Sequence, residues 1–413
     1  MSAMNEAWII DAVRTPRGLG KVGKGALSDV HPQRILSTVL KALAERNALD
    51  TADVDDVIAG CSSQWGKQGA CIARMALLDA GWDERAPGVT LDRFCGSGLT
   101  AVNSAAMGVM SGMQHLVVAG GVESMSYGST LKSDSKLFDR ENLHLRDMHP
   151  QSHQGICADL IATLEHITRD DVDKLALESQ KRAAHAIANG HFARGVTPVY
   201  RDDSSVALDR EEFPRPGTTL EGLSQLKPAF AAIYDYPIDE AGTTYKQLVE
   251  RRYPGVAINH IHHAGNSSGV VDGAAALLIA SADYARAHGL KPRAKIRAVA
   301  TVGDSPELML NAPGPAARKA LQIGGLDISD VDLFEVNEAF AVVPIKFMRD
   351  LDVDPAKMNV NGGAMALGHP IGATGAIILG TLLDEMERRD VSIGLATLCA
   401  AGGMAPAIVI ERM

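Results

Sequence analysis

The chain has 413 residues, 46% of them hydrophobic and 22% charged, ordinary globular values that exclude wholesale disorder. Its 50 Asp and Glu outnumber its 40 Lys and Arg, for a net charge of −10, so it lacks the basic footprint of a nucleic-acid binder. No apolar run reaches the ~18 residues of a membrane span, and no basic–apolar signal segment leads the chain. A cytoplasmic protein with neither a nucleic-acid nor a membrane partner is therefore expected. Forty glycines stand against only 3 Trp, 7 Tyr and 8 Phe, a balance suited to close approaches of backbone.

Apolar patterning predicts a strand at Ala7–Val13, a helix at Pro32–Asn47, a strand at Val54–Ala59 and a helix at Ala73–Ala80. Gly88–Leu91 then leads into Cys95, followed by a helix at Leu99–Ser111 and a strand at Leu116–Ala119. Strands alternating with helices point to an α/β fold with a largely parallel sheet. From about Ser124 to Pro254 the chain turns polar and charge-dense, and only Thr168–Asn189 reads there as an amphipathic helix, with Thr168 as N-cap. The alternating rhythm resumes with apolar strands at Ala274–Ala280 and Ala294–Val302, and helix Pro315–Ile323 follows. Strand Val331–Val336, helix Ala339–Leu351, the Gly-rich run 361–375 and helix Ala376–Arg388 come next, before strands Ile393–Leu398 and Ala407–Ile410. The second half repeats the element order of the first, which implies a duplication.

Several motifs fail on context. Gly18–Gly23 matches G-x-G-x-x-G, but no helix follows it. Gly265–Gly269 matches the G-x-S-x-G elbow of a serine hydrolase with Ser267 as nucleophile, yet an apolar strand, not a helix, comes next. His260, His262 and His263 have no ligand-spaced Cys or carboxylate nearby in sequence, so a loop of polar or ligand-facing histidines is expected and no metal.

The five cysteines are odd in number and show no CxxC, which argues against a disulfide framework. Two are flanked by glycine: Cys95 in Cys-Gly-Ser-Gly and Cys399 before Ala-Ala-Gly-Gly. A thiol at the start of a helix sits by unpaired N–H groups and the positive dipole end, which should lower its pKa. His369, between Gly368 and Pro370, is the residue type that serves as base to such a thiol. Two thiols and one histidine, each against glycine, imply cysteine chemistry that uses a second thiol.

Seven ordered motifs make the chain resemble the thiolase family over essentially its whole length. They are AVRTP (12–16), CGSGLTAV (95–102), GGVESMS (120–126), GNSSG with DGAAA (265–276), NEAFA (337–341), NGGAMALGHPIGATGA (361–376) and CAAGGM (399–404). The resemblance implies a duplicated fold layered αβαβα, with two similar mixed-sheet halves and a loop domain. The first half would take residues 1–124 and 255–289, the loop domain over the CoA site 125–254, and the second half 290–413.

It also implies an acyltransferase that joins two acetyl-CoA by Claisen condensation or cleaves a 3-ketoacyl-CoA, through an acyl group held on cysteine. CoA would be substrate and product, with no other cofactor, and the assembly a homodimer or homotetramer. By the same resemblance Cys95 is the nucleophile, His369 its base and Cys399 the second proton carrier. Asn337 holds a water, and the backbone N–H groups of Cys95 and Ala401 form an oxyanion hole. Ala401 stands where many members have Gly. Ser268, His153, Lys227, Phe230, Phe340 and Met309 are expected to contact substrate, Ser268 and His153 at the pantetheine, Lys227 near the adenine and phosphates, and Phe340 and Met309 as acyl-pocket walls. His262 and His263 stand where many members have Val-Thr. A serine hydrolase using Ser267, or an inactive acyl-CoA-binding protein on the same scaffold, are the competing readings.

Overall fold

The computed structural model describes residues 5–131 and 137–413. Its strands in chain order are β1 (Ala7–Arg14), β2 (Gly18–Leu19), β3 (Asp56–Gly60), β4 (Gly88–Leu91), β5 (Leu116–Ser124), β6 (Val199–Tyr200), β7 (Val206–Leu208), β8 (Val271–Ser281), β9 (Ala294–Gly303), β10 (Leu333–Val336), β11 (Ile393–Thr397) and β12 (Met404–Arg412). One ten-stranded mixed sheet runs β10-β11-β12-β9-β1-β8-β5-β3-β4, with β2 added beside β8.

The pairing repeats. In the first half β4 and β5 flank β3 in parallel, and β8 and β1 then add antiparallel. In the second, β11 lies parallel to β10, and β12 and β9 add antiparallel. A parallel bridge from Phe334 to Met358 occupies the place beside β10 that β4 holds beside β3. Among the described residues β1 and β9 join the two halves edge to edge through two residue pairs, Trp8 with Lys295 and Ile9 with Ala294.

Five layers follow from the side chains. Helices Pro32–Arg46 and Ile72–Asp79 pack on the outer face of the first half. Helices Pro313–Gly324 and Val342–Leu351 do the same for the second. Helices Ser97–Met110 and Thr374–Arg389 fill the middle, between the inner faces of both halves. A strand covered on both faces reads as a near-continuous run of apolar and small residues. Strands β1, β5 and β8 are buried along their whole lengths, and buried carboxylates among them such as Glu123 and Asp272 are hydrogen-bonded.

The central layer is possible because of glycine. A Cβ on Gly375 would lie 2.2 Å from the Leu99 backbone nitrogen, and one on Gly98 2.7 Å from the Gly372 carbonyl oxygen. Strand β5 continues five residues beyond its predicted end at Ala119 for the same reason. Its Gly120 and Gly121 lie where a Cβ would be 2.0 Å from the carbonyl oxygens of Ala275 and Gly372, respectively. Helix Val342–Leu351 begins three residues later than predicted, because Phe340 is drawn into a bridge with Ser267.

The polar excursion has a small core of its own, in which Ile156, Leu160, Tyr245, Leu248 and Val249 are buried against Phe230 and Tyr234. Helix Arg169–Ala188 is closed at its start by a reciprocal capping box between Thr168 and Asp171. No helix among the described residues is long and apolar enough to cross a membrane.

Candidate active site

Cys95 lies on the turn between β4 and the central helix Ser97–Met110. Phe94, just before it, has φ +49°, a left-handed conformation that costs a non-glycine residue about 1–2 kcal/mol. Ser97 pins the turn: its Oγ accepts the Arg93 N–H at 2.9 Å and donates to the Phe94 carbonyl at 2.6 Å. The helix begins two residues beyond Cys95, with Gly96 as N-cap. Burial, with the nearby Glu123 carboxyl adding to it, pushes the Cys95 thiol up to about 12. The expected lowering by the helix terminus is thus reversed, because removal of the thiolate from water outweighs the dipole.

Cys399 follows β11 and enters a tight turn closed by backbone bonds between Ala400 and Met404. The turn uses positive φ at Gly402 and Gly403, +77° and +74°, but not at Ala401, so an alanine fits without strain. Burial pushes the Cys399 thiol upward, and the neighbouring Cys95 adds to the rise. The two glycine-flanked thiols are therefore within electrostatic reach of each other.

His369 arrives from the second half, on the turn that precedes the other central helix, Thr374–Arg389. Its backbone N–H donates to the Gly269 carbonyl at 2.9 Å. Gly368 has φ +94°, and a Cβ there would lie 2.4 Å from Val271, so only glycine fits. The ring is buried, which pushes its pKa down to about 4. Nδ1 lies 2.6 Å from Thr374 Oγ1, while Nε2 is buried with no protein partner. Both side-chain polar atoms of Asn337 are likewise buried and unpartnered. Buried polar atoms are rarely left unpaired, so these point to a ligand or water that the side chains would meet.

Further carboxylates hold this frame. Glu123 Oε2 accepts the N–H groups of Ser62 and Gly372, and its Oε1 that of Ser63, at 2.9–3.0 Å. It thereby ties the first half to the His369 turn. Glu338, the acid of NEAFA, accepts from Ser179 Oγ at 2.7 Å, Asn359 Nδ2 at 3.1 Å and the Met365 N–H at 3.2 Å. Sequence reasoning missed both roles, though each acid lay inside a quoted motif.

The other expected contacts divide. Cys399, Ala401, Phe340 and Met309 share one buried cluster, with Phe94 and Phe230 packed against it. Rings run in a chain: His153 to Phe230 at 5.3 Å, Phe230 to Phe340 at 5.8 Å, and Phe340 to His262 at 5.7 Å. Ser268 donates its N–H to the carbonyl of Ala339, within NEAFA. Lys227 is exposed and stands outside the buried cluster.

The histidine loop departs from expectation. His262 and His263 are buried, and carboxylates reach them from distant sequence. Asp159 accepts from His262 Nδ1 at 2.7 Å and lies 2.8 Å from His260 Nδ1. Asp173 lies 2.9 Å from His263 Nε2. Burial works to raise the Asp159 carboxyl, but the bonds from His260 and His262 outweigh it and hold it below its ordinary value. Among the described residues no group of three or more His, Cys, Asp or Glu side chains is arranged so that it could hold a metal ion.

Ser267 lacks an elbow's setting: β8, a strand, follows it, and its buried Oγ has no partner, hence no histidine base.

The family model for the thiolase N-terminal domain matches residues 7–233, and that for the C-terminal domain residues 290–412. An acetyl-CoA acetyltransferase of Escherichia coli is 41% identical over 99% of this chain and 100% of its own. A beta-ketoadipyl-CoA thiolase of Pseudomonas putida is 39% identical over 99% and 100%, and a steroid 3-ketoacyl-CoA thiolase of Mycobacterium tuberculosis 38% over 100% and 95%. The crystal structure of the Bacillus anthracis acetyl-CoA acetyltransferase superposes with a TM-score of 0.83 at 35% identity, each chain covered completely. With both domain models matched and relatives aligned end to end, the chain belongs to the thiolase family.

Proposed function

We propose that this thiolase cleaves a 3-ketoacyl-CoA by two acyl transfers through Cys95, as in β-oxidation, and that the same groups run the reverse condensation of two acetyl-CoA. What supports the reading is a pair of thiols close enough to act on each other's charge, together with buried, unpartnered polar atoms on His369 and Asn337.

The Cys95 thiol attacks the 3-keto carbon while its proton passes to His369 Nε2. A thiol pushed up to about 12 and an imidazole pushed down to about 4 do not form a standing ion pair. The proton therefore moves as the carbon–sulfur bond forms, which is general-base catalysis. The C2–C3 bond then breaks. The acyl group stays on Cys95 as a thioester, and the acetyl-CoA enolate takes a proton from Cys399. In the second transfer Cys399 accepts the proton of an incoming CoA thiol, whose sulfur attacks the thioester. Cys95 leaves and recovers its proton from His369.

Developing oxyanions need preorganised donors. The reading gives these roles to the Cys95 and Ala401 backbone N–H groups for one, and to His369 with a water on Asn337 for the other. Phe230, Phe340 and Met309 wall the acyl group, Ser268 and His153 meet the pantetheine, and Lys227 reaches the adenine and phosphates. Only protons and acyl groups move, so CoA serves as substrate and the scheme needs no cofactor. A homodimer or homotetramer in the cytoplasm completes the proposal, its mass readable by light scattering.

Two of the relatives named above are named for thiolysis substrates, a beta-ketoadipyl-CoA and a steroid 3-ketoacyl-CoA. Thiolysis rates across 3-ketoacyl-CoA of graded length, branched and ring-bearing ones included, identify the acyl class. Mass spectrometry after incubation with acetyl-CoA tests the roles. Cys95→Ser should carry no acetyl label, whereas Cys399→Ser should be labelled and yet fail to exchange the carbon–carbon bond. Label retained on Cys95→Ser sinks the assignment.

A further inference from the structure

A histidine that takes a thiol proton on Nε2 must first have its own proton on Nδ1. What enforces that choice is visible one turn along the chain. Thr374, the first residue of its helix, is buried, and its Oγ1 lies 2.6 Å from His369 Nδ1 and 2.9 Å from the Pro370 carbonyl oxygen.

The hydroxyl has one hydrogen and the carbonyl can only accept. The carbonyl also takes the N–H groups of Ala373 and Thr374, at 2.9 and 3.0 Å, which fix it facing the hydroxyl. With the hydrogen on Pro370, Oγ1 presents a lone pair to Nδ1, Nδ1 carries the ring proton, and Nε2 is left with its lone pair. In the opposite arrangement Thr374 would donate to Nδ1 and Nε2 would be a buried N–H. No protein acceptor is there to meet it, and orphaned buried N–H groups are rarer than under-satisfied acceptors.

We propose that Thr374 is the positioning residue that sets the His369 tautomer, holding Nδ1–H so that Nε2 is free to take the Cys95 proton. The inference rests on the reading of His369 as the base for Cys95. It extends through the catalytic cycle: when Nε2 gains a proton, the imidazolium keeps its Nδ1–H bond to Oγ1, and no atom of Thr374 has to move. The threonine touches no substrate and acts only through the ring.

The test compares Thr374→Val, which keeps the shape and loses the hydroxyl, with Thr374→Ser, which keeps the hydroxyl. Two readouts separate a tautomer effect from a packing effect. The first is the rate of Cys95 alkylation by iodoacetamide across pH 5–9, read by mass spectrometry of the Cys95 peptide with no CoA present. The second is acetoacetyl-CoA thiolysis resolved into kcat and KM.

Thr374→Val is expected to slow alkylation at pH 7 and to lower kcat, each by about tenfold or more with KM little changed, as loss of general-base function requires. Thr374→Ser should restore both. Wild-type alkylation and kcat in Thr374→Val overturn the proposal. So does a Thr374→Ser variant as impaired as Thr374→Val, which keeps the test decisive if the valine variant folds poorly. His369→Gln is the control. If it alkylates as fast as wild type, the proposal and the reading it rests on both fall; if it is slow while Thr374→Val is normal, the proposal alone falls.

Discussion

Cys95 and His369 occupy corresponding places in the two halves of the molecule. Each lies just before a central helix on the connection from the outermost sheet position, β4 in one half and the Met358 bridge in the other. The second connection is longer and holds a short helix at Ala364–Leu367. The surroundings differ. The first half supplies a thiol behind a strained Phe94. The second supplies an imidazole behind a glycine at φ +94°, together with Asn337 and Cys399. Duplication has preserved the scaffold and its helix starts while the side chains at those starts have diverged into complementary partners. On the proposed mechanism the chemistry is therefore shared across a seam that neither half spans alone.

That comparison breaks first at the histidine. If His369 is the base the first half lacks, His369→Gln should lower thiolysis kcat by about 10²–10⁴-fold, the usual worth of a positioned general base. Steady-state kinetics on acetoacetyl-CoA check it, and a smaller loss would mean that Cys95 is activated from within its own half.

The pH dependence of stability is the next effect. Burial pushes His369 from its ordinary 6.5 down to about 4, so between those values the unfolded chain binds the extra proton and the folded one does not. Its contribution is full above pH 6.5 and is lost as pH falls through this window, amounting to about 3 kcal/mol. Urea unfolding at pH 7 and pH 4 should show wild type losing about that much more than His369→Gln.

The seam itself is the third target. Gly375→Ala places a methyl 2.2 Å from the Leu99 nitrogen of the other central helix. Overpacking of this kind costs about 1–3 kcal/mol, against a gain of up to ~1 kcal/mol in helix propensity. A lowered Tm with slowed Cys95 acylation is expected. An unchanged acylation rate would show that the two turns keep their spacing by other means. The smallest effect belongs to Ala401→Gly. The residue contributes only its N–H in the proposed scheme and needs no positive φ, so the added freedom should cost less than ~1 kcal/mol in kcat or stability.

Much of this was legible in sequence, for physical reasons. The strands β5 and β8 are nearly continuous runs of small and aliphatic residues, and Gly98 and Gly375 of the central helices mark where backbones touch. The polar excursion was harder. Helices Leu143–Met148 and Gln154–Leu164 were not expected, and the second carries Asp159, which meets His262 from 103 residues away. No local pattern announces such a pair, so the histidine loop reads as polar when it is in fact buried. Cys95 shows the complementary error: the helix start is a local feature and was visible, whereas burial, which dominates its pKa, is a property of the whole fold.

Glu338 carries a consequence for how the molecule is made. Its bond to Ser179 spans 159 positions, and its bonds to Asn359 and Met365 span 21 and 27 more in the other direction. The carboxyl therefore joins the middle of the chain to a loop near its end. Contacts so distant in sequence make folding slow, and a ribosome adding residues at about 5–20 per second releases the Ser179 helix long before its partner exists. During that interval the bond from Ser179 to Glu338 cannot form, and the centre proposed around Cys95, His369 and Cys399 is complete only once the last of these residues has emerged.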